Sequence, residues 1–331
     1  MGTIETADEK IRGIDFHSLY LTKYNEIGFV GGMNSLRCTV ILLTVLVFMA
    51  RGAWGEPIDP KADSSVQGNI PATTNADLGV IGNWLREVSA IQAEQPHWAT
   101  PVATVTPRLE QEFRYDQFWQ SAPQGRITNN YGGGKGFEFI PVENIEVIVG
   151  VPAYETRDRP AGTGGFSDEN LLVKYRILSG NEEHGDYILT GFLGVSLPVG
   201  SDYNTAMHEI TTPTIAYGKG WGDFDIQTTL GIAVPDDGAP RNQIGTPVAS
   251  NTTFQYHLFT YLWPEVELNY TWYPNGEHEG LNQLFVTPGL VIGRFKIHDR
   301  IGFTIGAGTQ IAVTDTPTYN RNIILTARFP F

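Results

Sequence analysis

Cysteine is almost missing from this chain: Cys38 is the one cysteine in 331 residues. It falls in a segment that the sequence predicts to be removed on export. The mature protein would then hold no disulfide, no thiolate metal site and no cysteine nucleophile. Positive charge is also scarce, with 22 Lys and Arg against 36 Asp and Glu, a formal net charge of −14. Acids and bases before residue 56 cancel, five against five, so the rest of the chain carries the whole imbalance. A surface of that sign repels phosphates, and no nucleic-acid partner is expected. Long apolar runs are limited to one, within MNSLRCTVILLTVLVFMARGAWG at residues 33–55. Its uncharged stretch, Cys38 to Ala50, has 13 residues. That is short of the roughly 20 a membrane-spanning helix needs and inside the roughly 7–15 of a signal-peptide core.

Arg37 precedes that core and Ala53-Trp54-Gly55 follows it, the small-residue pattern of a cleavage site. The sequence therefore predicts a signal peptide at 33–55, translation from Met33, and cleavage before Glu56. Residues 1–32 are read as a misassigned N-terminal extension. An uncleaved anchor is the alternative. Residues 56–105 are expected to form a periplasmic linker with one amphipathic helix. Asp77 would cap it, and Leu78, Ile81, Leu85, Val88 and Ile91 recur at helical spacing. Packing of that helix on the following domain is favoured over a plug entering a pore.

What is abundant is Gly, Thr and aromatic residues, and from about residue 106 to 331 the period is two. DYILTGFLGVSL places Tyr187, Leu189, Leu193, Val195 and Leu197 on one face. EVELNYTWY sets Val266, Leu268, Tyr270 and Trp272 against Glu265, Glu267, Asn269 and Thr271. RIGFTIGAGTQIAV sets apolar residues against Gly302, Thr304, Gly306, Gly308 and Gln310. A soluble β-sandwich or lipocalin-like barrel also alternates. Connection lengths discriminate. Twelve strands are predicted, near 107–119, 131–140, 145–153, 169–179, 186–198, 208–219, 222–235, 251–263, 265–273, 281–294, 299–313 and 318–331. Connections after even strands are short and those after odd strands generally long. That segregation describes an all-β, antiparallel transmembrane barrel of the bacterial outer membrane. Trp119, Tyr187, Trp221, Trp263, Trp272 and Tyr273 are candidates for its aromatic girdles. The end of the chain, NIILTARFPF, places Phe329 and Phe331 in alternation, like the C-terminal signal read by the barrel-assembly machinery.

Catalytic and metal motifs are missing. GGGKG at 132–136 lacks the spacing and the Ser or Thr of a phosphate loop, and a strand follows it, so a flexible turn is the better reading. The histidines are scattered without zinc-helix spacing, and no His-x-Ser falls on a predicted strand. No cofactor, metal or catalytic residue is assigned. The inward face carries the informative residues: Glu110, Glu112, Arg114, Asp116, Glu146, Lys174, Arg176, Asp223, Asp225, His257, Glu265, Glu267 and Arg328. Charge on the lipid face is costly at mid-membrane, so these must point inward. Barrel closure would bring Glu110 and Glu112 near Arg328. The set forms either a salt-bridged barrel floor or an acid-weighted constriction that favours cations or neutral solutes.

The segments TPRLEQEFRYDQFWQ, YGGGKGFEFIPVENIEVIVGVP, LLVKYRILSGNEEHGDYILTGFLGVSLP and FVTPGLVIGRF together resemble a family of Gram-negative outer-membrane proteins. It is named for the meta-cleavage pathway of phenol degradation (MetA-like). The resemblance spans roughly residues 106–331. It implies a β-barrel transporter of small molecules, hydrophobic or aromatic compounds being the class the family name suggests, though phenol itself is not implied. The partners expected are outer-membrane lipid, the barrel-assembly machinery and a small-molecule solute. A structural or adhesive barrel with a filled lumen, or an outer-membrane lipid hydrolase, are the alternatives.

Overall fold

The computed structural model describes residues 79–331, apart from 160–162, 202 and 237–243. The expected extension at 1–32, the expected signal peptide at 33–55 and the first part of the expected linker lie outside the described residues. Twelve antiparallel strands close into a barrel. β1 is Glu112–Ser121; β2 runs as Ile127–Gly132 and Gly136–Val142; β3 as Ile145–Gly150 and Tyr154–Arg157. β4 comprises Gly165–Phe166 and Glu169–Gly180, β5 is Tyr187–Leu197, β6 is Ile210–Trp221, and β7 comprises Phe224–Ile232 and Val234–Pro235. The circuit ends with β8 Val248–Tyr256, β9 Leu262–Trp272, β10 Asn282–His298, β11 Ile301–Ala312 and β12 Arg321–Pro330. β12 closes on β1 in register from Glu112 opposite Pro330 to Ser121 opposite Arg321. Closure leaves no exposed sheet edge, which lipid would not tolerate.

The alternation turns the fold inside out relative to a soluble protein. On β5, Ile188, Thr190, Phe192 and Ser196 are buried while Leu193 is 49% exposed. On β9, Glu265, Glu267, Asn269 and Thr271 are buried while Val266, Tyr270 and Trp272 are exposed. Arg114, Arg328 and Lys174 are among the largest fully buried side chains. In water that inversion would be ruinous; in a bilayer it is required, because the outer surface meets hydrocarbon. The protein is a bacterial outer-membrane barrel. No helix among the described residues is long and apolar enough to cross a membrane.

Two details differ from the sequence expectation. GGGKG is a turn ahead of the strand from Gly136, as expected, but the residues before it are paired with β1 as well, so the turn is also a bulge inside β2. Between its two paired stretches β1 advances four residues, from Asp116 to Glu112, while β2 advances six, from Gly132 to Glu138. The surplus is accommodated by positive φ at Gly132, Gly133, Gly134 and Gly136, as bulges need. Gly133 lies so close to β1 that a Cβ there would meet the Asp116 Cβ at 2.3 Å. Of the girdle candidates, Trp221 and Trp272 face outward, whereas Trp263 and Tyr273 are buried. Trp263 has the parity of Glu265 and Glu267, so the same pleat turns it inward.

A helix, α1 (Gly79–Ala93), precedes the barrel. It packs at the end that carries the short hairpins. Val88 and Ile91 join Leu109 and Ile140 in a small apolar cluster, and the Trp84 indole donates to the Ile140 carbonyl at 2.8 Å. Ile81, expected on the buried face, is 70% exposed. The contact covers the C-terminal turns of the helix and not its start. Barrel side chains satisfy the helix end: Arg176 donates to the Ile91 carbonyl, Asn181 to that of Ala93 and Ser179 to that of Glu94. These are the carbonyls a helix leaves without partners.

Candidate functional site

Residues 94–111 do not pass beneath the barrel. They enter its lumen, turn, and return to start β1. Two prolines help explain why this stretch forms no strand: Pro101 and Pro107 lack the donor a sheet ladder needs. The two limbs are fastened to each other. Gln95 donates to the Leu109 carbonyl at 2.8 Å and accepts from the Leu109 amide at 2.9 Å. Thr100 donates to Glu110 at 3.0 Å, and Arg108 bonds the Trp98 carbonyl.

The tip of this plug raises the question of where its backbone amides find acceptors. Three consecutive amides go to two carboxylates on β9. The Val102 amide donates to Glu265 at 2.8 Å, and those of Ala103 and Thr104 donate to the two oxygens of Glu267 at 2.7 and 2.6 Å. Gln255 and Thr253 on β8 donate to the same two acids. The plug carbonyls are met by cations: Arg114 bonds Val102 at 2.7 Å, Lys174 bonds Arg108 at 3.0 Å, and Arg328 bonds Thr100 and Pro101. Charge-assisted bonds of this kind are roughly twice as strong as neutral ones. Around the tip the wall is stripped of side chains: a Cβ on Gly289, Gly306 or Gly308 would lie 3.2–3.4 Å from the Val102 methyls.

The inward residues expected from sequence are therefore placed as follows. Glu112, Arg114, Asp116, Glu146, Lys174, Arg176, Asp225, Glu265, Glu267 and Arg328 are buried in the interior, and Glu110 is buried in the returning limb of the plug. Arg114 grips both oxygens of Asp116 at 2.8 and 2.9 Å, Lys174 pairs with Glu146 at 2.9 Å, and Arg108 pairs with Glu110 at 3.0 Å. Arg176 also bonds Asn144 at 2.9 Å. Asp225 accepts from Gln227, which in turn bonds the Ala99 carbonyl. The His257 ring stacks on Trp263 at 4.5 Å.

Asp223 departs from its assignment. It sits in the turn between β6 and β7 and is exposed, because β7 begins only at Phe224. Closure sets Arg328 opposite Arg114, and Arg328 serves the plug carbonyls while Glu110 finds Arg108. Phe329 lies 6.5 Å from Phe113 and 5.3 Å from Phe303, and the Phe331 ring lies 6.2 Å from Phe139.

Sequence reasoning missed the plug and its holders Arg108, Arg294 and Gln227. Arg294 bonds the Trp98 carbonyl and lies over the Trp263 ring at 5.5 Å. A signal was present. Glu265 and Glu267 face inward with Gln255 and Thr253 on one side and Gly289 and Thr287 on the other, so no adjoining strand offers them a cation. Two buried acids without cations imply donors from somewhere else.

On the outer side of the plug tip the lumen contains a cavity of about 110 Å³, floored by Ala103 and Val105. Its walls carry Thr212, Thr214, Thr229, Asn251, Asn269, Phe192 and Phe285, with no ionisable group other than the Tyr319 phenol.

Solved structures similar to this chain are outer-membrane proteins. An outer membrane channel from Pseudomonas putida F1 aligns over 66% of this chain and 94% of its own, with 13% identity and a TM-score of 0.45. The KdgM porin aligns over 66% and 99%, with 8% identity and a TM-score of 0.40. OmpF of Salmonella typhi in complex with daunomycin aligns over 66% and 96%, with 7% identity and a TM-score of 0.31. No protein-family model and no curated protein matches the chain.

Proposed function

We propose that this barrel is a gated channel for small molecules, closed by its own N-terminal segment and opened when that segment leaves the lumen. The observation that carries the reading is the latch of three backbone amides on Glu265 and Glu267. The plug is held by many polar contacts that water could replace, and the apolar burial of its tip is confined to Ala99, Val102 and Ala103, which pack with Phe118, Trp263, Val291 and Ile324. Such a segment can exchange between two states separated by a few kcal/mol, the gap a gate needs. The family resemblance supports the same class of function, with hydrophobic or aromatic cargo as its suggestion.

Planar-bilayer recording of the full chain tests the gate. Rare openings in the native protein and frequent openings in Glu267→Gln are expected; silence in both would remove the channel reading. Silence would favour the second reading, a structural barrel with a permanently filled lumen, for which the paired charges around the plug also speak. Phe331 is proposed as the mark read by the barrel-assembly machinery. Its deletion should lower the yield of folded barrel, seen as loss of the heat-modifiable band on gels.

A further inference from the structure

The cavity beyond the plug tip has a chemistry that the net charge of the protein does not forecast. None of the buried acids and bases that surround the plug, Glu265, Glu267, Asp225, Lys174, Arg114 and Arg328 among them, lines the cavity. The cavity itself is walled by threonine, asparagine, small residues and a few rings. Phe285 and Tyr319 stack there with centroids 4.4 Å apart. Two hydroxyls bordering it, Ser196 Oγ and Thr318 Oγ1, are buried and find no hydrogen-bond partner among the described residues. Ser196 and Thr318 are 7% and 5% exposed. Buried hydroxyls in native structures are normally satisfied, and each exception asks for an explanation.

We propose that this cavity is a binding site for an uncharged solute with a compact apolar body and one hydrogen-bonding edge. Ser196 and Thr318 would supply the hydrogen bonds, and the Phe285–Tyr319 pair the apolar contact. At about 110 Å³ it suits a molecule of at most about six non-hydrogen atoms, since an apolar protein cavity of roughly 150 Å³ accommodates benzene. An ion there would be stripped of water with no opposite charge on the wall, which is strongly unfavourable. The site thus selects neutral solutes, although the protein as a whole is acidic. The inference deepens the channel reading and takes its biological meaning from it, but binding can be measured without conduction.

Isothermal titration of the purified full-length barrel with three probes of equal non-hydrogen atom count tests it: cyclopentanol, cyclopentylammonium and cyclopropanecarboxylate. Saturable one-site binding of cyclopentanol is expected, with both ions at least about tenfold weaker. Ala249→Trp, which fills the cavity, should abolish the saturable binding while keeping heat-modifiable mobility. The pair Ser196→Ala with Thr318→Val should weaken it roughly fivefold to tenfold, the loss of a hydrogen bond or two. Equal binding of either ion, no saturable binding, or binding indifferent to both variants would overturn the site. A barrel that binds cyclopentanol yet never conducts would overturn the channel and support the site. One that conducts without binding would do the reverse.

Discussion

The inner and outer parts of the lumen are built from the same strands, and often from adjacent inward positions of one strand. Glu267 and Asn269 are two residues apart on β9, as are Lys174 and Leu172 on β4 and Gln227 and Thr229 on β7. Yet one side of the plug tip is a dense charged network and the other a neutral cavity. The difference shows what interior charge does here. Where the N-terminal segment supplies amides and carbonyls, Glu265, Glu267, Lys174 and Arg328 can be buried because each meets a partner. The residues that line the cavity beyond the tip carry no charge, and Glu155 and Arg157, buried farther out, are paired with each other at 2.7 Å.

That comparison can be broken most forcefully at Lys174. Lys174→Met leaves Glu146 buried without its cation, which costs about 3–5 kcal/mol, a large part of a typical net stability of roughly 5–15 kcal/mol. The folded, heat-modifiable band should shrink or vanish, and a full-strength band would mean that the inner charges are not a paired network. Next comes the latch. In Glu267→Gln the amide nitrogen would face a backbone N–H. The loss of about 1.5–3 kcal/mol of charge-assisted bonding corresponds to roughly ten- to a hundredfold more open channel in bilayer recordings. Unchanged open probability would place the gate elsewhere.

A third effect lies outside the membrane span, where His97 anchors the plug entrance. Its amide and ring meet the two oxygens of Glu182 at 2.7 and 2.8 Å. Burial alone would raise the Glu182 pKa, but the hydrogen bonds and charge of His97 prevail and hold it at about 2, below its usual 4.5. A depressed carboxylate pKa stabilises above the ordinary value and loses that contribution as pH falls through the folded one. Protection of the His97 amide, taken relative to the intrinsic exchange rate at each pH, should hold from neutrality to about pH 4.5 and fall toward pH 2. Loss of that protection already at pH 6 would contradict the tether. The smallest effect belongs to the outer wall: Thr212→Val, beside the cavity, should change stability by less than about 1 kcal/mol and leave gating untouched. A gating change of the size seen in Glu267→Gln would erase the contrast between the two regions.

Much of this was legible in the sequence. Alternation fixed which residues of β5, β9 and β11 face lipid, because a pleated strand in a closed barrel has only two faces. Loop lengths ordered the hairpins, and the inward direction of Glu112, Arg114, Lys174, Glu265 and Arg328 followed from the expense of charge in hydrocarbon. The bulge at GGGKG was less accessible, since its surplus residues acquire meaning only against β1. Asp223 failed for a related reason: alternation is silent on where a strand stops and a turn begins.

The sequence by itself determined a closed outer-membrane barrel with an apolar exterior and a charged interior. Local periodicity decides the face of a strand, and the bilayer penalises every other arrangement. Only the tertiary structure decided that residues 94–111 fill the inner lumen, that Glu265 and Glu267 grip three consecutive amides, and that a neutral cavity lies beyond them. Those facts depend on groups more than 150 residues apart in the chain meeting inside the barrel, and no short-range pattern encodes such a meeting.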